Sequence, residues 1–67
     1  MIHKTAIISA NCQIHDNAII GPYCIVDEKV SIDEGTELIS NVHVSGNTKI
    51  GKNNIFFPFS SIGMIPQ

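Results

Sequence analysis

The side chains of this chain that could perform chemistry are three histidines, two cysteines and a small set of carboxylates. Histidine ligates metals and acts as a general base, and a cysteine thiolate is a nucleophile. A metal centre needs several ligands that converge on one point. What these groups can do therefore depends on whether the elements that carry them bring them together.

The chain repeats every six residues. Beginning at Ile2, every sixth residue is apolar, without slip or insertion: Ile2, Ile8, Ile14, Ile20, Val26, Ile32, Leu38, Val44, Ile50, Phe56 and Ile62. A second column, four residues further on, holds small or medium-sized side chains, and Asn, Gly and Pro cluster between the two columns. A helix would scatter these positions around its circumference. The spacing instead predicts short strands that alternate with tight corners.

Three such hexads make one triangular coil of eighteen residues, so the chain forms about 3.7 coils. The predicted fold is all-β: a parallel β-helix of hexapeptide repeats over residues 1–67. We expect the regular frame to end near Gly63, because Pro66 falls in an inward position and cannot donate to a strand ladder. An ordinary β-sandwich with coincidental spacing is the alternative.

Composition excludes several classes of function. The net charge is −2, with only four Lys and Arg residues, which disfavours a nucleic-acid-binding face. No apolar run approaches the length of a membrane span, and the opening residues lack the apolar core of a signal peptide. Two cysteines cannot build a disulfide-dense scaffold. These features predict a soluble cytoplasmic chain that is too small to be very stable without partner subunits.

Residues eighteen apart should stack on one wall of the coil. The outward residues of one wall are polar, and those of the other two walls are largely apolar. The first wall carries Ile7, Ile25, His43 and Ser61; the second, polar wall carries Gln13, Ser31 and Lys49; the third carries Ile19, Glu37 and Ile55. Monomers avoid large apolar patches, so partner subunits are expected to cover the first and third walls. Scattered surface isoleucines are the alternative.

In this frame the candidate chemical groups do not converge. His3, His15 and His43 lie on different walls and rungs, and none has a carboxylate placed to make it a general base. Cys12 and Cys24 are twelve apart, on different walls, and are expected to be free, buried thiols. The acidic residues are expected to be solvated: Asp27, Glu28, Asp33, Glu34 and Glu37. We therefore predict no catalytic residue, no metal site and no cofactor in these 67 residues.

Four segments add a more specific resemblance. They are His3–Ile7, Ile20-Gly-Pro-Tyr-Cys-Ile-Val26, Ser45-Gly-Asn-Thr-Lys-Ile-Gly51 and Phe59-Ser-Ser-Ile-Gly-Met-Ile-Pro-Gln67. In this order they resemble the N-terminal part of the UDP-N-acetylglucosamine acyltransferase family, and the resemblance covers the whole chain. The hexads alone are shared by many acyl- and acetyltransferases, whereas the terminal Ser-Ile-Gly-x-x-Pro-Gln is more specific.

The resemblance implies a left-handed β-helix, although parallel crossovers are normally right-handed. It implies a homotrimer that takes a 3-hydroxyacyl chain from acyl carrier protein to the 3-hydroxyl of UDP-N-acetylglucosamine, in lipid A synthesis. A histidine base would lie in clefts between subunits, beyond residue 67, so this chain alone should be inactive. Gln67 is the one position that carries over, as a substrate contact. The alternatives are another hexapeptide acyl- or acetyltransferase, and a non-catalytic β-helical assembly element.

Overall fold

The computed structural model describes residues 1–63, and these form ten strands of two residues each. In chain order the strands are β1 Ile7–Ile8, β2 Gln13–Ile14, β3 Ile19–Ile20, β4 Ile25–Val26, β5 Ser31–Ile32, β6 Glu37–Leu38, β7 His43–Val44, β8 Lys49–Ile50, β9 Ile55–Phe56 and β10 Ser61–Ile62. In every strand the first residue is more exposed than the second, and the second belongs to the six-residue apolar column. The sequence period therefore sets which side chains face the inside of the coil.

The strands form three parallel sheets that are the three walls of the coil. The first wall contains β1, β4, β7 and β10, the second contains β2, β5 and β8, and the third contains β3, β6 and β9. Each residue pairs with the one eighteen positions later, as Ile14 pairs with Ile32 and Ile32 with Ile50. This confirms the all-β, hexapeptide-repeat coil and contradicts the sandwich. The stacking is consistent with the left-handed β-helix that the resemblance implies.

The corners between strands use a left-handed backbone at regular intervals. Positive φ angles of 52–74° recur every sixth residue, at Tyr23, Lys29, Gly35, Asn41, Asn47, Asn53 and Phe59. Glycine adopts this conformation freely and asparagine tolerates it, so four of the seven corners match their residue type. Tyr23, Lys29 and Phe59 do not, and each carries a strain of about 1 kcal/mol.

The core lies inside the coil and is best enclosed in its middle. Fully or almost fully buried side chains extend from Ala18 to Ile50 and include Ile20, Val26, Leu38 and Val44. Thr36, the buried polar side chain there, donates from Oγ1 to Gly51 O at 2.6 Å and accepts from Asn54 N. A buried hydroxyl with partners for both its roles avoids the cost of an unpaired polar group.

The frame stays regular through β10, which ends at Ile62, and Gly63 follows with φ 79°. The predicted end of the frame near Gly63 thus falls at the limit of the described residues, and Pro66 lies outside them. Within residues 1–63 there is no helix with the length and apolar character needed to cross a membrane.

Candidate functional site

The three histidines are held apart by the coil, as the sequence predicted, and each contacts residues near its own corner or wall. His3 Nδ1 lies 2.9 Å from Thr5 Oγ1 and accepts from Thr5 N. His15 Nδ1 accepts a hydrogen bond from Asn17 N at 3.2 Å. Both contacts are local, within two residues along the chain, so they fix the corner that follows each histidine.

His43 differs from the other two, and here the sequence expectation was wrong. Its Nε2 lies 3.0 Å from Asp27 Oδ2, so it does have a carboxylate neighbour. Asp27 follows β4 and His43 opens β7, the strand that pairs with β4, and the contact therefore runs diagonally between successive coils. About 40% of each side chain is exposed, so the pair is reachable from solvent.

A second acidic residue is also paired, and like Asp27 it keeps the solvent exposure that the sequence predicted. Lys52 Nζ lies 3.3 Å from Glu34 Oε1, again between successive coils, although both side chains are largely exposed. Exposed pairs of this kind add less than about 1 kcal/mol. Across residues 1–63, no group of three or more His, Cys, Asp or Glu side chains is placed to hold a metal ion.

The cysteines are free thiols in inward positions. Cys24 is completely buried, whereas Cys12 is only partly buried because it belongs to the first coil. Cys12 Sγ lies 2.7 Å from Asp27 O, so its thiol donates to the backbone of the coil above. Cys12 and Cys24 therefore act as small hydrophobic side chains on the inner face of the coil.

The first and third walls meet at a corner that exposes large apolar side chains. Tyr23 is 65% exposed, Phe57 66% and Phe59 84%, and the isoleucines at 7, 19, 25 and 55 on the two walls are 37–63% exposed. The structure thus confirms the apolar outward surface predicted for these walls. The second wall presents Gln13, Ser31 and Lys49, as predicted.

A shallow cleft of about 240 Å³ lies beside this corner and is lined by Tyr23, Ile25, Asn41, Val42, His43 and Phe59. The sequence reasoning singled out His43 and Ile25 but missed the stacked trio of Tyr23, Asn41 and Phe59. Their spacing of eighteen was the signal that could have found them. Gln67, the residue predicted to contact substrate, lies outside the described residues.

The fold and these surfaces define a class of protein: a parallel β-helix of hexapeptide repeats with two apolar walls and one polar wall. Over nearly all of its length the chain is similar to curated enzymes with one shared name, acyl-(acyl-carrier-protein)–UDP-N-acetylglucosamine O-acyltransferase. The resemblance seen in the sequence is thereby confirmed.

Three of these relatives show the extent of the similarity. The protein of Psychrobacter sp. (strain PRwf-1) is 58% identical over 62 residues, which are 92% of this chain and 24% of the relative. Those of Thermodesulfovibrio yellowstonii and Rickettsia peacockii are 52% and 46% identical over 66 residues, or 98% of this chain. The chain spans about a quarter of the length of these relatives. No family model matches it.

Proposed function

We propose that this chain is the N-terminal β-helical part of an acyltransferase that moves a 3-hydroxyacyl chain from acyl carrier protein to the 3-hydroxyl of UDP-N-acetylglucosamine. The observation that carries the proposal is the 46–58% identity to enzymes of that name over 92–98% of the chain. The stacked hexad coil supports it, because the register of eighteen residues continues without interruption through the described part of the region that is similar to those enzymes.

In this proposal the chain provides scaffold and interface, and the general base belongs to the part of the enzyme beyond residue 67. His43 is the histidine with a carboxylate neighbour, yet its Nε2 is engaged with Asp27 and ties β7 to the coil below. A carboxylate on one ring nitrogen leaves the other available to a base. The base is therefore assigned to the part beyond residue 67 on the resemblance alone, because none of His3, His15 and His43 matches the motif of that family's catalytic histidine. Gln67 contributes a substrate contact, since an amide both donates and accepts.

The proposed partners follow from the same reasoning. Acyl carrier protein and the UDP-sugar are the substrates of the intact enzyme, which works in the cytoplasm in lipid A synthesis. The enzyme is a homotrimer in which neighbouring copies cover the two apolar walls. The exposure of Ile7, Tyr23, Ile55, Phe57 and Phe59 supports this assembly, because apolar surface of this extent is normally covered.

The test is an acyl-transfer assay with 3-hydroxyacyl-loaded acyl carrier protein and UDP-N-acetylglucosamine. We expect turnover from the intact protein that carries this chain, and no turnover from the 67-residue chain alone. UDP-N-acetylglucosamine is replaced in parallel by other nucleotide sugars and simple sugar acceptors. Turnover by the isolated chain would show that the base lies within it. Turnover of the intact protein only with another acceptor would assign a different hexapeptide transferase.

A further inference from the structure

Each of the two apolar walls carries one ionisable outward side chain. On one wall it is a base, and on the other it is an acid. Among the outward strand residues described, the first wall presents Ile7, Ile25, His43 and Ser61, and the third presents Ile19, Glu37 and Ile55. His43 and Glu37 are both partly exposed. A charged group in an otherwise apolar contact is costly unless the opposing surface supplies a partner.

The positions of these residues along the coil axis match between the walls. Successive coils are about 4.8 Å apart, so a displacement of six residues along the chain raises a position by about 1.6 Å. His43 follows Glu37 by six residues, and Ile25 follows Ile19 by six. When copies are related by a rotation about an axis parallel to the coil, points of equal height meet. In such an arrangement Ile25 of one copy lies near Ile19 of the next, and His43 of one copy lies near Glu37 of the next.

Contacts between the same wall of two copies do not pair His43 with Glu37. Third wall on third wall sets Glu37 against Glu37, and first wall on first wall sets His43 against another His43 or against Ile25. Pairing the first wall of one copy with the third wall of the next is a heterologous contact, which forms a ring when the rotation between copies closes. The corner between the two walls, with Tyr23, Phe57 and Phe59, then points to the axis of that ring.

We infer that His43 of each copy contacts Glu37 of the neighbouring copy across a first-wall-to-third-wall interface. This rests on the self-association proposed above and adds to it which walls meet and which residues face each other. Within the chain, Asp27 holds His43 through Nε2, and no hydrogen bond of Nδ1 is found among residues 1–63. The Asp27 contact therefore orients the ring, and in the protonated imidazolium the other nitrogen donates to the Glu37 carboxylate of the neighbouring copy. A pairing of the Glu37 carboxylate with the His43 ring also disfavours contacts between the same wall of two copies.

The test is cross-linking of the double variant Glu37→Cys/His43→Cys with a short bismaleimide, in the intact protein that carries this chain. The two positions lie on different walls of one coil, and we expect covalent dimers and trimers from links between copies. The matched control is Glu37→Cys/Lys49→Cys, because Lys49 is also exposed and lies six residues further on, but on the polar wall. The control and the unmodified protein, with its native Cys12 and Cys24, should stay monomeric on denaturing gels.

Sedimentation of the same samples separates the two proposals. A trimer by sedimentation with no cross-links above the control would overturn the His43–Glu37 contact and leave the trimer standing. A monomeric unmodified protein would overturn both. As a second variant, Glu37→Lys places a cation against His43 and should raise the dissociation constant of the trimer about tenfold, the scale of one charged contact. Lys49→Glu should leave it unchanged, and equal behaviour of the two would contradict the contact.

Discussion

The middle coils and the first and last described coils are built from the same residue types but bury them to different degrees. In a single rank of inward side chains, Ile2 is 48% exposed, Ile20 and Leu38 are completely buried, and Phe56 is partly exposed. All four occupy the same position of the hexad. The difference therefore comes from the neighbouring coils and not from the residue or its place in the repeat.

This comparison shows how a solenoid obtains its stability. A single coil of three two-residue strands cannot enclose its own core, and each rung is covered by the rung above and the rung below. The rank from Ile2 to Phe56 shows this, because only Ile20 and Leu38 have a described coil on each side, and only these two are completely buried. Substitutions should consequently cost more in the middle coils than at equivalent positions in the first coil.

The largest expected effect comes from truncating one isoleucine in each region. Ile20→Ala removes a fully buried side chain and should lower the free energy of unfolding by about 3–4 kcal/mol. Ile2→Ala, one coil below in the same rank, should cost about 1 kcal/mol, since half of that side chain is already in water. Urea denaturation followed by circular dichroism measures both. Equal losses would show that burial in the middle coils does not govern stability.

A smaller but sharper difference is expected between two glycines. A Cβ on Gly21 would lie 1.7 Å from Ile39 O in the next coil, so Gly21→Ala forces two backbones apart and should cost about 3 kcal/mol. A Cβ on Gly51 would meet only Asn54 Nδ2, at 3.8 Å. Gly51→Ala should therefore change the free energy of unfolding by less than about 0.5 kcal/mol. Thermal melts of the two variants provide the measurement, and a well-tolerated Gly21→Ala would mean that the coils can move apart.

The coil itself could be predicted from the sequence because its signal is repeated eleven times. One apolar residue in six fixes the inward column, and a spacing of eighteen then fixes the register, as the pairing of Ile14, Ile32 and Ile50 shows. The asparagines at 41, 47 and 53 likewise indicated left-handed corners. In each case one physical requirement acts on many equivalent positions, so single exceptions do not hide it.

The contacts that sequence reasoning missed are those that break the period. A spacing of eighteen places Asp27 directly below Ser45. Asp27 lies only sixteen residues before His43, so the diagonal contact between them is missed when only residues eighteen apart are compared. The strained corners at Tyr23, Lys29 and Phe59 were missed because their residue types do not favour positive φ. The candidate substrate contact, Gln67, stays a prediction, since it lies outside the described residues.

The smallest expected effect tests one of these strained corners. Lys29 and Asn47 occupy equivalent corners of successive coils, with φ of 62° and 59°, and both side chains are exposed. Lys29→Asn should therefore stabilise the chain by about 0.5–1 kcal/mol, because asparagine tolerates the left-handed region that lysine enters at a cost. A change of this size corresponds to a melting temperature about 2–8 °C higher in a domain of this length. The reverse change, Asn47→Lys, should lower the melting temperature by a similar amount. If the two variants shift the melting temperature in the same direction, the corner strain is not what separates these positions.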